Sequence, residues 1–65
     1  MLDKYKGFFK GGLRHGYGTY NYHDGGVYEG HFEKDIKNGD GKYTLDGKVI
    51  KGIWENDRFI KIDKD

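Results

Sequence analysis

The chain has 65 residues, twelve Lys+Arg against eleven Asp+Glu (formal net charge +1), twelve glycines, and no proline or cysteine. That length holds one domain at most, which hides only roughly 60% of the surface its unfolded form exposes. The missing cysteine excludes a disulfide framework, a thiolate metal site and a thiol nucleophile, and the near-neutral charge removes the electrostatic basis for a nucleic-acid partner.

Six tyrosines, four phenylalanines and one tryptophan must supply most of the core. In chain order, short alternating segments predict six strands, at about residues 5–10, 16–22, 27–33, 39–45, 48–54 and 58–62. A helical reading fails because each interior glycine would cost about 1 kcal/mol, with no apolar stripe to offset it. No apolar run approaches the ~18 residues of a membrane span, and the first residues lack the apolar core of a secretion signal. Gly11-Gly12 and Asp46-Gly47 suit two-residue hairpin turns, whose central positions want positive φ. Lys34-Asp35 is a poorer match and leaves a longer loop open there.

The segments repeat. Tyr5-Lys6-Gly7-Phe8-Phe9 returns as Tyr28-Glu29-Gly30-His31-Phe32 and then as Ile50-Lys51-Gly52-Ile53-Trp54. His15-Gly16-Tyr17-Gly18-Thr19-Tyr20 returns as Asn38-Gly39-Asp40-Gly41-Lys42-Tyr43, first at an offset of 23 residues and then, for the following copy, of 22. Asp24-Gly25 and Asp46-Gly47 mark the unit boundaries. In the last unit Lys61 and Asp63 stand where the glycines would fall, and 63–65 reads as a polar stop.

Alternation places the aromatic residues and most glycines on one face and mainly polar residues, with Phe8, Tyr17 and Ile53, on the other. A turn at Asp46-Gly47 pairs Tyr43 with Ile50, Gly41 with Gly52 and Gly39 with Trp54. A two-residue turn at Lys34-Asp35 would pair Gly30 with Gly39 and Tyr28 with Gly41. Both glycines of each Gly-x-Gly are thereby expected to leave room for flat rings of adjoining strands.

These motifs, Tyr-x-Gly-x-Phe, His-Gly-x-Gly-x-Tyr and Asp-Gly, resemble the MORN repeat (membrane occupation and recognition nexus) over about residues 5–59. Asn38, Asp35 and Ile50 depart from that pattern. The resemblance implies an all-β fold, a single elongated twisted antiparallel sheet of successive hairpins. It also implies one domain over 1–65, with units at about 5–27, 28–49 and a partial unit at 50–65. It further implies a non-catalytic scaffold or adaptor, cytoplasmic and associated with cytoskeletal structures or a membrane periphery.

No catalytic, cofactor or metal residue is assigned. His15, His23 and His31 match no metal-ligand spacing, and no helix follows either Gly-x-Gly to make a phosphate loop. Glu29 and Asp40 read as partners of Lys6, Lys42 or Lys51 rather than as an acid–base pair. The candidates for binding a protein partner are Tyr5, Phe9, Tyr20, Tyr28, Phe32, Tyr43 and Trp54, on a ring-lined face expected to be partly open to solvent. The alternative is acidic phospholipid, held by Lys4, Lys6, Lys10 and Arg14. Open sheet edges offer a third mode, pairing with a second copy or with a partner's strand.

Overall fold

The structure, a computed structural model, describes residues 3–63. It contains β1 (Lys4–Lys10), β2 (Leu13–Asn21), β3 (Val27–Glu33), β4 (Ile36–Leu45), β5 (Lys48–Glu55) and β6 (Arg58–Ile62). They form one open antiparallel sheet in chain order, as the alternation and the resemblance predict. Met1, Leu2 and the last two residues of the expected polar stop lie outside the described residues.

Four of the five connections are two-residue turns with both central residues at positive φ: Gly11-Gly12, Lys34-Asp35, Asp46-Gly47 and Asn56-Asp57. The longer loop left open at Lys34-Asp35 is therefore not needed. The fifth connection, between β2 and β3, spans residues 22–26. There the Tyr22 amide donates to the Gly26 carbonyl (2.9 Å), and the Gly26 amide donates to Asp24 Oδ1 (2.9 Å). From Tyr20 to its partner Tyr28 the chain takes one residue more than from Tyr43 to its partner Ile50, which accounts for the change in repeat offset from 23 to 22.

The β4–β5 register is the one the Asp46-Gly47 turn predicts, with Tyr43 opposite Ile50, Gly41 opposite Gly52 and Gly39 opposite Trp54. Between β3 and β4 the expected pairs are corrected: Gly30 faces Gly41 and Tyr28 faces Tyr43. The cause is a bulge. Phe32 pairs with Lys37 and Gly30 with Gly41, so Asn38, Gly39 and Asp40 all stand against His31 alone. The same bulge sets His15, Gly16 and Tyr17 against Phe8.

The bulge separates the roles of the two glycines in each Gly-x-Gly. Gly16 (φ 85°) and Gly39 (φ 106°) turn the bulged strand through a backbone region closed to most L residues. They do not make room for rings, contrary to the expectation. Gly18 and Gly41 do: a Cβ at either would clash with the ring of Tyr5 or Tyr28, respectively. Each of these tyrosines then donates its hydroxyl to a bulge carbonyl three residues on, Tyr5 to Phe8 (2.8 Å) and Tyr28 to His31 (2.9 Å). The third unit lacks all three parts. Ile50 has no hydroxyl, and Lys61 and Asp63 replace the glycines. Accordingly the β5–β6 bulge carries one extra residue, and Gly52 pairs with Ile62.

The core is a chain of edge-to-face rings running across the sheet from one margin to the other. Phe9 meets Tyr5 (5.0 Å), Tyr5 meets Phe32 (5.3 Å), and Phe32 meets Tyr28 (5.2 Å). Tyr28 meets Trp54 (5.2 Å), and Trp54 meets Phe59 (4.9 Å). Each such contact contributes about 0.5–1.5 kcal/mol beyond its buried area. Tyr28, Phe32 and Trp54 are buried, and Tyr5, Tyr20, Tyr22 and Tyr43 pack around them. One sheet thus builds its own second layer from rings laid over glycine.

Candidate interaction surfaces

The ring-lined face is more fully covered than alternation alone suggests. Three of the candidate partner-binding residues, Tyr28, Phe32 and Trp54, are in the core and offer little or no surface in the folded chain. Tyr5, Tyr20 and Tyr43 are half-buried against them, which leaves Phe9 as the one exposed ring of that set.

Two cations complete the cover. The Arg14 guanidinium lies 4.9 Å from the Tyr20 ring and 5.0 Å from that of Phe32. Lys37 occupies the same place one unit later, 5.5 Å from the Tyr22 ring and 5.6 Å from Tyr28, and its Nζ donates to Tyr22 Oη (3.0 Å). Arg14 is therefore parted from Lys4, Lys6 and Lys10, which remain exposed on β1. The role of Lys37 was not read from the sequence, although its spacing of 23 from Arg14 carries it.

Arg14 and Lys37 also take part in a repeated latch between hairpins. The Asp35 amide donates to the Arg14 carbonyl (2.9 Å), and Asp35 Oδ1 accepts from the Arg14 amide (3.2 Å) and Nε (2.6 Å). One unit on, the Asp57 amide donates to the Lys37 carbonyl (3.0 Å), and Asp57 Oδ1 accepts from the Lys37 amide (2.9 Å). The latch holds two turns that lack glycine in the left-handed region. It also lowers the Asp35 pKa, mainly through the hydrogen bond from the Arg14 side chain.

The folded chain thus binds the Asp35 proton less tightly than the unfolded chain does. The resulting stabilisation is complete above about pH 4 and is lost as pH falls through the lower folded-state pKa. Asp35→Ala is expected to melt below the parent at pH 7, with the gap closing progressively under about pH 4. Thermal melts across that range check it, and a gap independent of pH would show that the carboxylate is not the source.

The exposed apolar surface lies elsewhere. Phe8 (68% exposed) and Phe9 stand on β1, and Phe59, Ile60 and Ile62 (66%) on β6, the two margins of the sheet. Leu13, Tyr17, Val49 and Ile50 are the other large exposed side chains, and β3 and β4 contribute none. A depression of about 670 Å³ lies beside β6, against Ile53, Lys61, Ile62 and Asp63. On the polar face Glu29 pairs with Lys42 (3.3 Å), one of the partners foreseen for it. His23 lies 3.3 Å from Asp3, whose carboxylate also accepts from Tyr20 Oη (2.9 Å). The Asp3 pKa is lowered, first by that tyrosine hydrogen bond.

The chain has no significant match among curated proteins. The sequence pattern of the MORN repeat, by contrast, matches residues 5–27 and 28–47. Those stretches contain both ring-over-glycine pairs and both wide bulges, and they span β2, β3, β4 and nearly all of β1. MORN repeats are a non-enzymatic module of protein or membrane interaction, and this chain, matched over most of its length, belongs to the MORN-repeat family.

Proposed function

We propose that the chain is a non-catalytic scaffold module that binds a protein partner through the apolar side chains of its edge strands. The observation that carries this reading is the distribution of exposed apolar surface. Apart from Tyr17, the rings of the inner strands are buried or half-buried, whereas Phe8 and Ile62, at opposite margins, are the most exposed large apolar residues among those described. Exposed apolar groups beside unpaired strand backbone suit strand addition, in which main-chain hydrogen bonds give affinity and side chains give selectivity. Acidic phospholipid is a weaker fit, because Arg14 is committed to Asp35 and the remaining basic group is three lysines on one strand.

Affinity capture with the parent chain, Phe8→Ser, Ile62→Ser and a Lys4→Glu/Lys6→Glu/Lys10→Glu triple variant tests this, beside sedimentation with phosphatidylserine and phosphoinositide vesicles. Retention of a protein partner by the parent and its loss in Phe8→Ser or Ile62→Ser, all chains remaining folded, is the expected result. Salt-sensitive vesicle binding that disappears in the triple variant would instead establish the lipid reading.

A further inference from the structure

The latch is used at both inner unit junctions, and its receiving half recurs on β6 with nothing bound to it among the described residues. The pair that closes each hairpin, Lys10–Leu13, Glu33–Ile36 or Glu55–Arg58, exchanges hydrogen bonds across the turn. The next pair, Phe9–Arg14, Phe32–Lys37 or Trp54–Phe59, therefore points its amides and carbonyls away from the hairpin. At Arg14 and Lys37 these outward groups meet Asp35 and Asp57. At Phe59 they face the open edge.

Charge restricts what fills that edge. β6 (Arg58-Phe59-Ile60-Lys61-Ile62) has two cations and no carboxylate, and β1 has Lys4, Lys6 and Lys10 and no carboxylate. A second copy laying β1 against β6 would bring five cations together against the flanking carboxylates Asp3, Asp57 and Asp63, an excess of positive charge that opposes self-pairing. It would also lack the latch, since Gly12 holds the turn position occupied by Asp35 and Asp57 in the other hairpins.

From these two observations we infer that the β6 edge receives an acidic extended segment of another protein. An aspartate of that segment accepts the Phe59 amide, and its own amide donates to the Phe59 carbonyl. Its other carboxylates face Arg58 and Lys61, and an apolar side chain enters the depression beside Ile53 and Ile62. This inference rests on the scaffold reading and names the partner's chemistry.

The probe is a synthetic peptide with the sequence of residues 27–36, which contains Glu29, Glu33 and Asp35 against Lys34. It is titrated into the isotope-labelled chain and followed by amide chemical shifts. Shifts centred on Phe59, Ile60, Lys61 and Ile62, with slowed hydrogen exchange at Phe59, are expected. Binding should weaken about fivefold for Arg58→Glu/Lys61→Glu, and by a similar factor for the peptide with Asn in place of its aspartate. Shifts centred on β2, no shifts at all, or binding indifferent to both changes would overturn the inference. Shifts centred on Phe8 and Phe9 would overturn it too, yet leave the scaffold reading intact. The scaffold reading fails separately, if Phe8→Ser and Ile62→Ser both keep the captured partner.

Discussion

Replacing Gly41 by alanine is expected to lower the melting temperature by roughly 15 °C or more. The new Cβ would lie 2.6 Å from Cζ of Tyr28, which is fully buried and tied by its hydroxyl to the His31 carbonyl. The ring has nowhere to go. It is flanked by Phe32 on one side and Trp54 on the other, and across the ladder the Cα of Gly30 faces that of Gly41. Overpacking of this kind costs typically 1–3 kcal/mol, and a rigid neighbour puts it at about the upper end. A chain of this length has a total stability of only roughly 3–10 kcal/mol. Two controls separate space from conformation. Gly16→Ala meets nothing closer than 3.6 Å but sits at φ 85°, so strain alone should cost about 1–2 kcal/mol. Gly11→Asn sits at φ 60° in open space, where asparagine is tolerated and a change within about 0.5 kcal/mol is expected. Were Gly41→Ala to melt within a few degrees of Gly11→Asn, the ring-over-glycine account would be wrong.

Tyr28→Ala is expected to leave the chain largely unfolded at 25 °C. Tyr28 is the most deeply buried large side chain among the described residues, and it joins the amino-terminal rings to Trp54 and Phe59. Truncating a buried aromatic costs about 3–5 kcal/mol, which is comparable to the whole stability of the domain. Phe9→Ala, at an exposed ring, should cost less than about 1 kcal/mol. Circular dichroism during urea titration distinguishes these outcomes. Tyr28→Phe keeps the ring and removes only the bond to the His31 carbonyl, about 1 kcal/mol. It also isolates an alkaline transition. Burial pushes the Tyr28 pKa up to about 12 from 10.0, so above pH 10 the unfolded chain loses this proton first. The associated stability is intact below pH 10 and declines by about 2–3 kcal/mol as pH rises to about 12. The parent should lose stability over that interval more steeply than Tyr28→Phe. Equal slopes would mean that this hydroxyl is not the group responsible.

Much of the sheet was legible before any coordinates. Repeated Tyr-x-Gly-x-Phe segments alternate too regularly to be helical, and Asp46-Gly47 fixes a two-residue turn and hence the β4–β5 register. The β3–β4 register was not legible. Lys34-Asp35 does form a two-residue turn, but nothing in the alternation announces the bulge beyond it that sets Asn38, Gly39 and Asp40 against His31. Strands β2 and β4 begin three residues earlier than alternation suggests, since Leu13–His15 and Ile36–Asn38 precede a bulge that interrupts the period of two. How far the ring-lined face is covered was hidden for a related reason. Parity tells which face a ring is on, but not whether neighbouring rings and the Arg14 and Lys37 side chains close over it.

By itself the sequence determined the all-β class, the hairpin repeat and the face on which the rings lie, because these depend on local period and on residues that fit only certain backbone shapes. Tertiary structure decided the rest. The two glycines of each Gly-x-Gly look alike in the chain, yet one is needed for its φ and the other for its missing Cβ. Which is which depends on where the bulge falls when two strands pair. The same holds for Asp35 and Asp57: each is an ordinary turn residue until a neighbouring hairpin presents a backbone amide and carbonyl for it to join.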